Sequence, residues 1–102
     1  MVYYSTVFEE DLQKIFIGLL TWKKFSLSLE FCYDYIDDIE SQCVNLDLIS
    51  YHEKTTYKLH KMYGDYVYRY KRTHNTCWYI IYNKDLFNNV FIERIMNNYV
   101  TI

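Results

Sequence analysis

The sequence predicts an α+β domain in which an N-terminal strand and a two-helix hairpin pack on one face of a 3–4-stranded antiparallel sheet. In the first half of the chain, apolar residues recur every three or four positions, which is typical of amphipathic helices. After about residue 54, short segments rich in Tyr, Val, Ile and Thr alternate with turn-like segments, which is typical of consecutive strands. Helices that precede a run of strands favour a fold with the helices on one side of the sheet.

The segment "MVYYSTVF" predicts a short strand followed by the start of a helix. Thr6 with Glu9 three residues later has the form of a capping box. A first helix is then expected over roughly Phe8 to Lys24. Its apolar stripe consists of Phe8, Leu12, Ile15, Phe16, Leu19 and Trp22.

A second helix is expected to begin after a serine cap, at either Ser26 or Ser28, and to end near Asn45. Its apolar stripe consists of Leu29, Cys32, Ile36, Ile39 and Cys43. Its acidic residues, which fall largely outside that stripe, are Asp34, Asp37, Asp38 and Glu40. They are interpreted as a solvated face, because a hard-cation site needs carboxylates that converge on one point.

Four segments have the composition of strands: "TTYKL", "DYVYRYK", "CWYIIYN" and "NVFIERI". The segments "YGD", "RTHNT" and "KDLFNN" separate them as turns, with Gly64 as the expected tight bend. Alternation places Arg69 and Lys71 on one face of their strand, opposite Tyr68 and Tyr70. In the last strand, strict alternation groups Val90, Ile92, Arg94 and Met96 on one face.

Charge is distributed unevenly along the 102 residues, although the formal net charge is only −2. Residues 1–50 carry nine acidic residues and three lysines, whereas residues 51–80 carry six cations, two acidic residues and all three histidines. This asymmetry favours an anionic partner at the basic side, and the alternative is two ordinary solvated faces. The length predicts one domain over residues 1–102.

The three cysteines, Cys32, Cys43 and Cys77, are widely spaced and odd in number, so buried free thiols are expected rather than disulfides or a zinc site. We expect no metal and no other cofactor. The N-terminus lacks the pattern of a signal peptide, and there is no apolar run of about 18 residues. The expected location is the cytoplasm, without membrane association.

The order of motifs in the second half resembles a known superfamily. After the helical hairpin come "YGDYVYRYKRTHNTCWYIIYNKD" and "VFIERIMNNY". This order resembles the RelE/ParE superfamily of toxins from bacterial type II toxin–antitoxin modules, in a branch with [Y/F]-x-x-[K/R]-Y-K and W-Y-I-[I/V]-[F/Y] motifs. The resemblance covers the whole chain in element order and residues 63–99 in motifs.

The resemblance implies a toxin that a cognate antitoxin neutralises. RelE-like members cut mRNA on the ribosome, which makes the chain a candidate mRNA interferase. It implies catalytic roles for Arg69, Lys71, Tyr79 and Arg94. The residues assigned to RNA binding are Lys58, Lys61, Arg72, His74 and Tyr99.

RNA cleavage by attack of a 2′-oxygen needs a proton acceptor, stabilisation of the charged phosphorane and a proton donor to the leaving 5′-oxygen. Arginine and lysine can stabilise the phosphorane directly. Lys71, Tyr79 or Tyr99 could transfer protons. His74 lies in an expected turn, so the alternative to a catalytic role is that it is an ordinary polar loop residue. For Arg69 and Lys71 the alternative to contact with RNA is that they are solvated charges on an edge strand, which deter aggregation.

Two other functions remain open from the sequence. One is a ParE-like, non-catalytic toxin that inhibits a protein target such as DNA gyrase. The other is a protein with the toxin fold and a different role, such as a phage-encoded inhibitor. The net acidity of the chain and the lack of a cation near residues 97–99 favour these alternatives, and the basic cluster favours the nuclease.

Overall fold

The computed structural model describes residues 1–21 and 28–97, and in these parts the chain is α+β with an N-terminal strand, as expected. Its elements are β1 Val2–Tyr4, α1 Thr6–Leu20, α2 Leu29–Cys43, β2 Glu53–Lys54, α3 Lys58–Lys61, β3 Tyr66–Lys71, β4 Cys77–Lys84 and β5 Val90–Asn97. The expected helical residues Trp22 to Lys24, the alternative cap Ser26 and the site residue Tyr99 lie outside the described residues. No helix in the described parts is long and apolar enough to cross a membrane.

The strands form one sheet in the order β1-β5-β4-β3-β2. The expectation of three or four antiparallel strands is therefore wrong, because the described sheet has five strands and is mixed. β1 pairs in parallel with β5, with Val2 opposite Val90, and the other neighbouring strands are antiparallel. The N-terminal strand joins the sheet because it satisfies backbone groups at the edge of β5, which would otherwise lack partners.

Serine side chains begin both long helices. The Phe8 amide donates to the Ser5 hydroxyl oxygen at 3.0 Å, so Ser5, and not the expected Thr6, caps α1. The Phe31 amide donates to the Ser28 hydroxyl oxygen, also at 3.0 Å, which decides between the two expected caps of α2. Each cap satisfies one of the amides that lack a partner within the helix.

The two long helices pack on one face of the sheet, as expected. The fully buried side chains of this core include Phe8, Ile39, Cys43, Ile80, Tyr82 and Ile92. Trp78 also lies in the core, where its indole N–H donates to the Tyr35 hydroxyl at 2.9 Å. Tyr68 and Tyr70 pack against the same core, so the alternation predicted for β3 is confirmed.

The opposite face of the sheet, called here the outer face, carries Val67 and Arg69 of β3, Tyr79 and Ile81 of β4, and Met96 of β5. It is not fully open, because α3 lies over part of it. Leu59 and Tyr63 pack against the buried side chains of Val67, Ile81 and Met96.

The expectation of a strand at "TTYKL" is therefore wrong, since its last two residues begin α3. The Thr55 amide donates to the Asp65 carbonyl, and the Thr55 hydroxyl donates to the Gly64 carbonyl, each at 2.9 Å. These bonds close residues 55–65 into a loop. That loop packs the partly buried Leu59 against the outer face.

A β-bulge in β5 changes which residues share a face. Ile81 pairs with Arg94, but its neighbour Tyr82 pairs with Ile92, so Glu93 is the extra residue. Val90 and Ile92 consequently face the helices, whereas Arg94 and Met96 face outward. The predicted grouping of Arg94 with Val90 and Ile92 is wrong for this reason.

Gly64 is required for space rather than for a bend. It has no positive φ. A Cβ atom at this position would lie 2.8 Å from the Tyr82 carbonyl oxygen and 3.0 Å from Ile81 Cγ2. The loop that carries α3 can approach β4 only because residue 64 has no side chain.

Candidate nucleic-acid interface on the outer face

The pairing of β3 with β4 brings three of the predicted site residues together. Arg69 lies directly opposite Tyr79, and its guanidinium carbon is 5.8 Å from the centroid of the Tyr79 ring. Lys71, two residues further along β3, is exposed and lies opposite Cys77. The outer face therefore presents two cations beside a phenol.

The Arg69 guanidinium is held by Glu53 on the edge strand β2. Its Nε–H donates to the two carboxylate oxygens of Glu53 at 3.1 and 3.0 Å, and Nη2 donates to Oε2 at 2.7 Å. These hydrogen bonds raise the pKa of Arg69. The pair occupies only two of the five guanidinium N–H donors, so others remain for a phosphate.

His60 is a member of this cluster that sequence reasoning missed. Its ring centroid lies 4.9 Å from that of Tyr79 and 5.3 Å from that of Tyr57. The imidazole is buried, and burial lowers its pKa, as does the positive charge of Arg69. His60 is therefore neutral near pH 7 and able to accept a proton.

The only signal for His60 in the sequence was its place among the basic residues of the segment 51–80. Because a strand was expected at "TTYKL", the helical turn α3, which brings His60 to Tyr79, was not predicted.

Tyr79 can act as a proton donor, whereas His60 can act as a proton acceptor. Burial raises its pKa, and the neighbouring Cys77 thiol raises it further. The phenol is consequently protonated at neutral pH and can donate a proton or a hydrogen bond. An acceptor, a donor and two cations in one cluster can in principle support acid–base chemistry on a phosphodiester.

Arg94 also faces outward, but its contacts are with α1 and the α3 loop. Nε and Nη2 donate to the Asp11 carboxylate at 2.8 and 3.1 Å, and the guanidinium carbon is 4.6 Å from the Tyr63 ring centroid. Asp11 is buried and also accepts the Ile95 amide at 3.1 Å. These contacts fasten α1 to the edge of β5, and the catalytic role of Arg94 stays a prediction.

Arg72 lies on the helix side of the sheet, away from Arg69 and Lys71. Its Nη1 donates to the Asp38 carboxylate at 2.5 Å, and its guanidinium carbon is 3.9 Å from the Tyr35 ring centroid. Both partners belong to α2. The structure therefore does not bring Arg72 to the same surface as the two outer-face cations.

Three further predicted RNA-binding residues are exposed on α3 or in the turn between β3 and β4, and Tyr99 lies outside the described residues. Lys58 and Lys61 are exposed on α3, and His74 is exposed in the turn between β3 and β4. Within residues 1–21 and 28–97 there is no group of three or more His, Cys, Asp or Glu side chains that could hold a metal ion.

Comparison with protein-family models, with curated proteins and with solved structures found no match. The resemblance to RelE/ParE toxins consequently rests on the motifs of residues 63–99 and on the order of the elements.

Proposed function

We propose that this protein has a RelE/ParE-like fold and is the toxin of a type II toxin–antitoxin module, which cleaves mRNA on the ribosome in the cytoplasm. The observation that carries the proposal is the outer-face cluster. It combines Arg69 and Lys71 with the phenol of Tyr79 and the neutral imidazole of His60.

Each step of RNA cleavage has a candidate group in this cluster. His60 accepts the proton of the attacking 2′-hydroxyl, and Arg69 and Lys71 stabilise the negative charge that develops on the phosphorane. Tyr79 donates a proton to the leaving 5′-oxygen. Tyr57, which is 54% exposed beside His60, offers a ring on which an unpaired base can stack.

The distribution of charge supports binding of a polyanion by an acidic chain. Most acidic residues belong to the segment that forms α1 and α2, on the helix side of the sheet. The basic segment 51–80 supplies α3, which lies over part of the outer face, and β3, whose Arg69 belongs to that face. RNA phosphates would therefore meet the basic side of the molecule.

A second candidate function is inhibition of a protein target such as DNA gyrase, without catalysis. Each of the three arginines is held by a carboxylate: Arg69 by Glu53, Arg72 by Asp38 and Arg94 by Asp11. This pairing leaves fewer arginine donors for phosphate than the sequence suggests. Under either function we propose a cognate antitoxin, which would stabilise the toxin by binding only its native state.

The test is primer extension on mRNA in a purified translation system. Wild type is compared with an Arg69→Ala, Lys71→Ala variant, and the matched control is a Lys54→Ala, Lys84→Ala variant. The control removes the same charge from the other face of the sheet. By register Lys54 and Lys84 lie opposite Tyr66 and Val90, which face the helices. We expect cleavage that requires ribosomes, survives in the control and is lost in the outer-face variant.

Intact mRNA at saturating protein would refute the nuclease. In that event, inhibition of DNA supercoiling by purified gyrase tests the second candidate directly. Loss of cleavage in both double variants would show that total charge, and not the outer-face geometry, controls activity.

A further inference from the structure

The two edges of the sheet differ in how they are protected against pairing with another chain. At one edge, β2 consists of Glu53 and Lys54, and charged side chains on an edge strand deter such pairing. At the other edge, β1 is Val2–Tyr4, which contains no charged side chain and no proline. Among the described residues no strand lies beyond β1. Apart from its short length, this edge therefore has none of the usual protection.

The backbone of β1 presents hydrogen-bonding groups at this edge. The Met1 carbonyl and the Ser5 amide both bond to β5, at 2.8 and 2.9 Å. Backbone groups of successive residues in a strand point to alternate sides, so the amides and carbonyls of Val2 and Tyr4 point away from β5. Such groups are a template for the addition of another strand.

Exposed apolar side chains lie at the same edge. On the outer face Tyr3 stacks on Phe91 of β5 with ring centroids 5.3 Å apart, and the two are 45% and 37% exposed. In the turn between β4 and β5, at the end of the sheet where β1 begins, Leu86 and Phe87 are 97% and 86% exposed. These four side chains are called here the β1 patch. At about 200 Å² for a large side chain they expose roughly 500 Å², which is as large as the main apolar patch of a typical monomer.

The turn that presents Leu86 and Phe87 is held in one conformation by Asp85. Its carboxylate accepts the amides of Phe87 and Asn89 at 2.8 and 3.0 Å and the side-chain amide of Asn89 at 2.9 Å. Asn88 has a φ of 61°, a conformation that asparagine adopts more readily than most residues. A turn fixed in this way loses little entropy when its exposed side chains are covered.

The surroundings of the β1 patch carry almost no net charge. In residues 2–4 and 85–91, Asp85 is the only charged side chain, and the amino group of Met1 is paired with Asp47 at 3.0 Å. The lack of cations disfavours a nucleic acid or an anionic lipid surface as the occupant. A symmetric contact between two copies brings each patch onto itself, so it requires a patch without net charge.

We propose that a second copy of this chain docks on the β1 patch across a twofold axis, with the two β1 strands antiparallel in one continuous sheet. An axis through Tyr3 places Val2 of each copy opposite Tyr4 of the other, so the backbone groups that point away from β5 bond to one another. The two Tyr3 residues then form a non-hydrogen-bonded pair, with Cα atoms about 4.5 Å apart.

This arrangement also covers exposed aromatic surface. The stacked rings of Tyr3 and Phe91 from both copies form one row across the outer face. The patch supplies more than half of the about 800 Å² that each partner contributes to an interface of standard size.

The proposal goes beyond the proposed function and does not depend on it. Tyr79 of the cluster proposed for RNA pairs with Met96, whereas Phe91 lies five residues earlier in β5. That separation is about 16 Å along the strand, so the dimer contact leaves the cluster uncovered. Dimerisation is measured without RNA and stands or falls separately from cleavage.

Sedimentation equilibrium of the full chain measures the association. We expect a reversible monomer–dimer equilibrium with a dissociation constant on the order of 10 μM, because the patch is small for a stable interface. A Leu86→Ser, Phe87→Ser variant should raise this constant at least about tenfold. The matched control is Tyr51→Ser, Met62→Ser, at positions that are 76% and 69% exposed outside the patch, and it should leave the constant unchanged. Substitutions at such exposed positions should preserve folding, which circular dichroism verifies.

Tyr3→Cys tests the register of the two strands. Cysteines at a non-hydrogen-bonded antiparallel pair have Cα atoms close enough for a disulfide, so mild oxidation should link this variant into covalent dimers. Phe91→Cys is the matched control on the neighbouring strand. Its two copies would lie three strand spacings apart, about 14 Å, and should not be linked. Wild type, with its three free cysteines, gives the background.

Three results would each overturn the proposal. They are a protein that stays monomeric at about 200 μM, a patch variant that dimerises as tightly as its control, and dimers in which Tyr3→Cys is linked no faster than Phe91→Cys. Flotation with vesicles of neutral phosphatidylcholine covers the other occupant. Vesicle binding by the monomer that is lost in Leu86→Ser, Phe87→Ser would assign the patch to a lipid surface and would likewise overturn the proposal.

Discussion

The ion pair between Asp11 and Arg94 should contribute strongly to the attachment of α1 to the sheet, beside the apolar packing of Phe8. Asp11 is 8% exposed and Arg94 is 26% exposed, so most of the pair is shielded from water. One carboxylate accepts two guanidinium bonds and the Ile95 amide. Asp11→Ala would leave both the arginine and that amide without their partner, which costs much more than losing a surface charge.

Removing one partner of a buried pair typically costs about 3–5 kcal/mol. Because Arg94 retains some access to water, we expect Asp11→Ala to cost about 3 kcal/mol. For a domain of this size, with a total stability of about 5–15 kcal/mol, that loss corresponds to a fall in Tm of about 12–24 °C.

Urea unfolding followed by circular dichroism measures this loss. The control is Glu10→Ala, which removes an exposed neighbouring acid and should change stability by less than about 0.5 kcal/mol. A double-mutant cycle with Arg94→Met should give a coupling energy of about 1–3 kcal/mol. A cost below about 1 kcal/mol for Asp11→Ala, or additive effects in the cycle, would contradict the role assigned to this pair.

The same Arg94→Met variant separates structure from catalysis. Tested at a temperature where it is fully folded, it should retain RNA cleavage if Arg94 only fastens α1 to β5. A variant that is folded but inactive would support the catalytic role predicted from the sequence.

Three further predictions concern packing, thiol reactivity and pH. Gly64→Ala should destabilise the fold by about 1–3 kcal/mol in urea unfolding, because the new Cβ would meet the backbone of β4. Gly18→Ala, in open space on α1, should stabilise it by about 0.5–1 kcal/mol, and the reverse order would contradict the packing. Burial raises the pKa of Cys43 to about 12, so a thiol reagent at neutral pH should modify at most the half-buried Cys77 in the native protein and all three free cysteines after unfolding. The pKa of His60 is lowered in the folded protein, so the unfolded chain binds more protons as the pH falls below about 6.5, and stability should decrease there, with a smaller decrease in His60→Gln.

Local patterns in the sequence predicted the two long helices and the faces of β3 because each depends on residues within one element. The stripe from Phe8 to Leu19 and the alternation around Arg69 needed no knowledge of distant contacts. The bulge at Glu93 and the parallel pairing of Val2 with Val90 depend on partners in other elements, so periodicity could not reveal them. The helical turn of α3 was missed because its apolar anchor, Leu59, is a single residue without a repeat.

The candidate site was predicted in part for the same reason. Alternation within β3 correctly placed Arg69 and Lys71 on the same face. It could not reveal that Glu53, sixteen residues earlier in the chain, binds the Arg69 guanidinium. Nor could segment charges reveal that Asp11, counted in the acidic half, is buried against Arg94, which is 83 residues away. The formal charge of a segment therefore overstates the cation available to a ligand wherever a distant carboxylate pairs with it.

The pairing of Arg69 with Glu53 is compatible with a site for phosphate. Both side chains are partly exposed, at 48% and 34%, and an exposed pair of this kind contributes only about 0.2–1 kcal/mol. A phosphate that forms its own bidentate bonds to the guanidinium could replace the carboxylate at little net cost. Until then Glu53 fixes the guanidinium beside the Tyr79 ring, which reduces the entropy lost when RNA binds. The carboxylate thus orients the cation at the site without preventing its use.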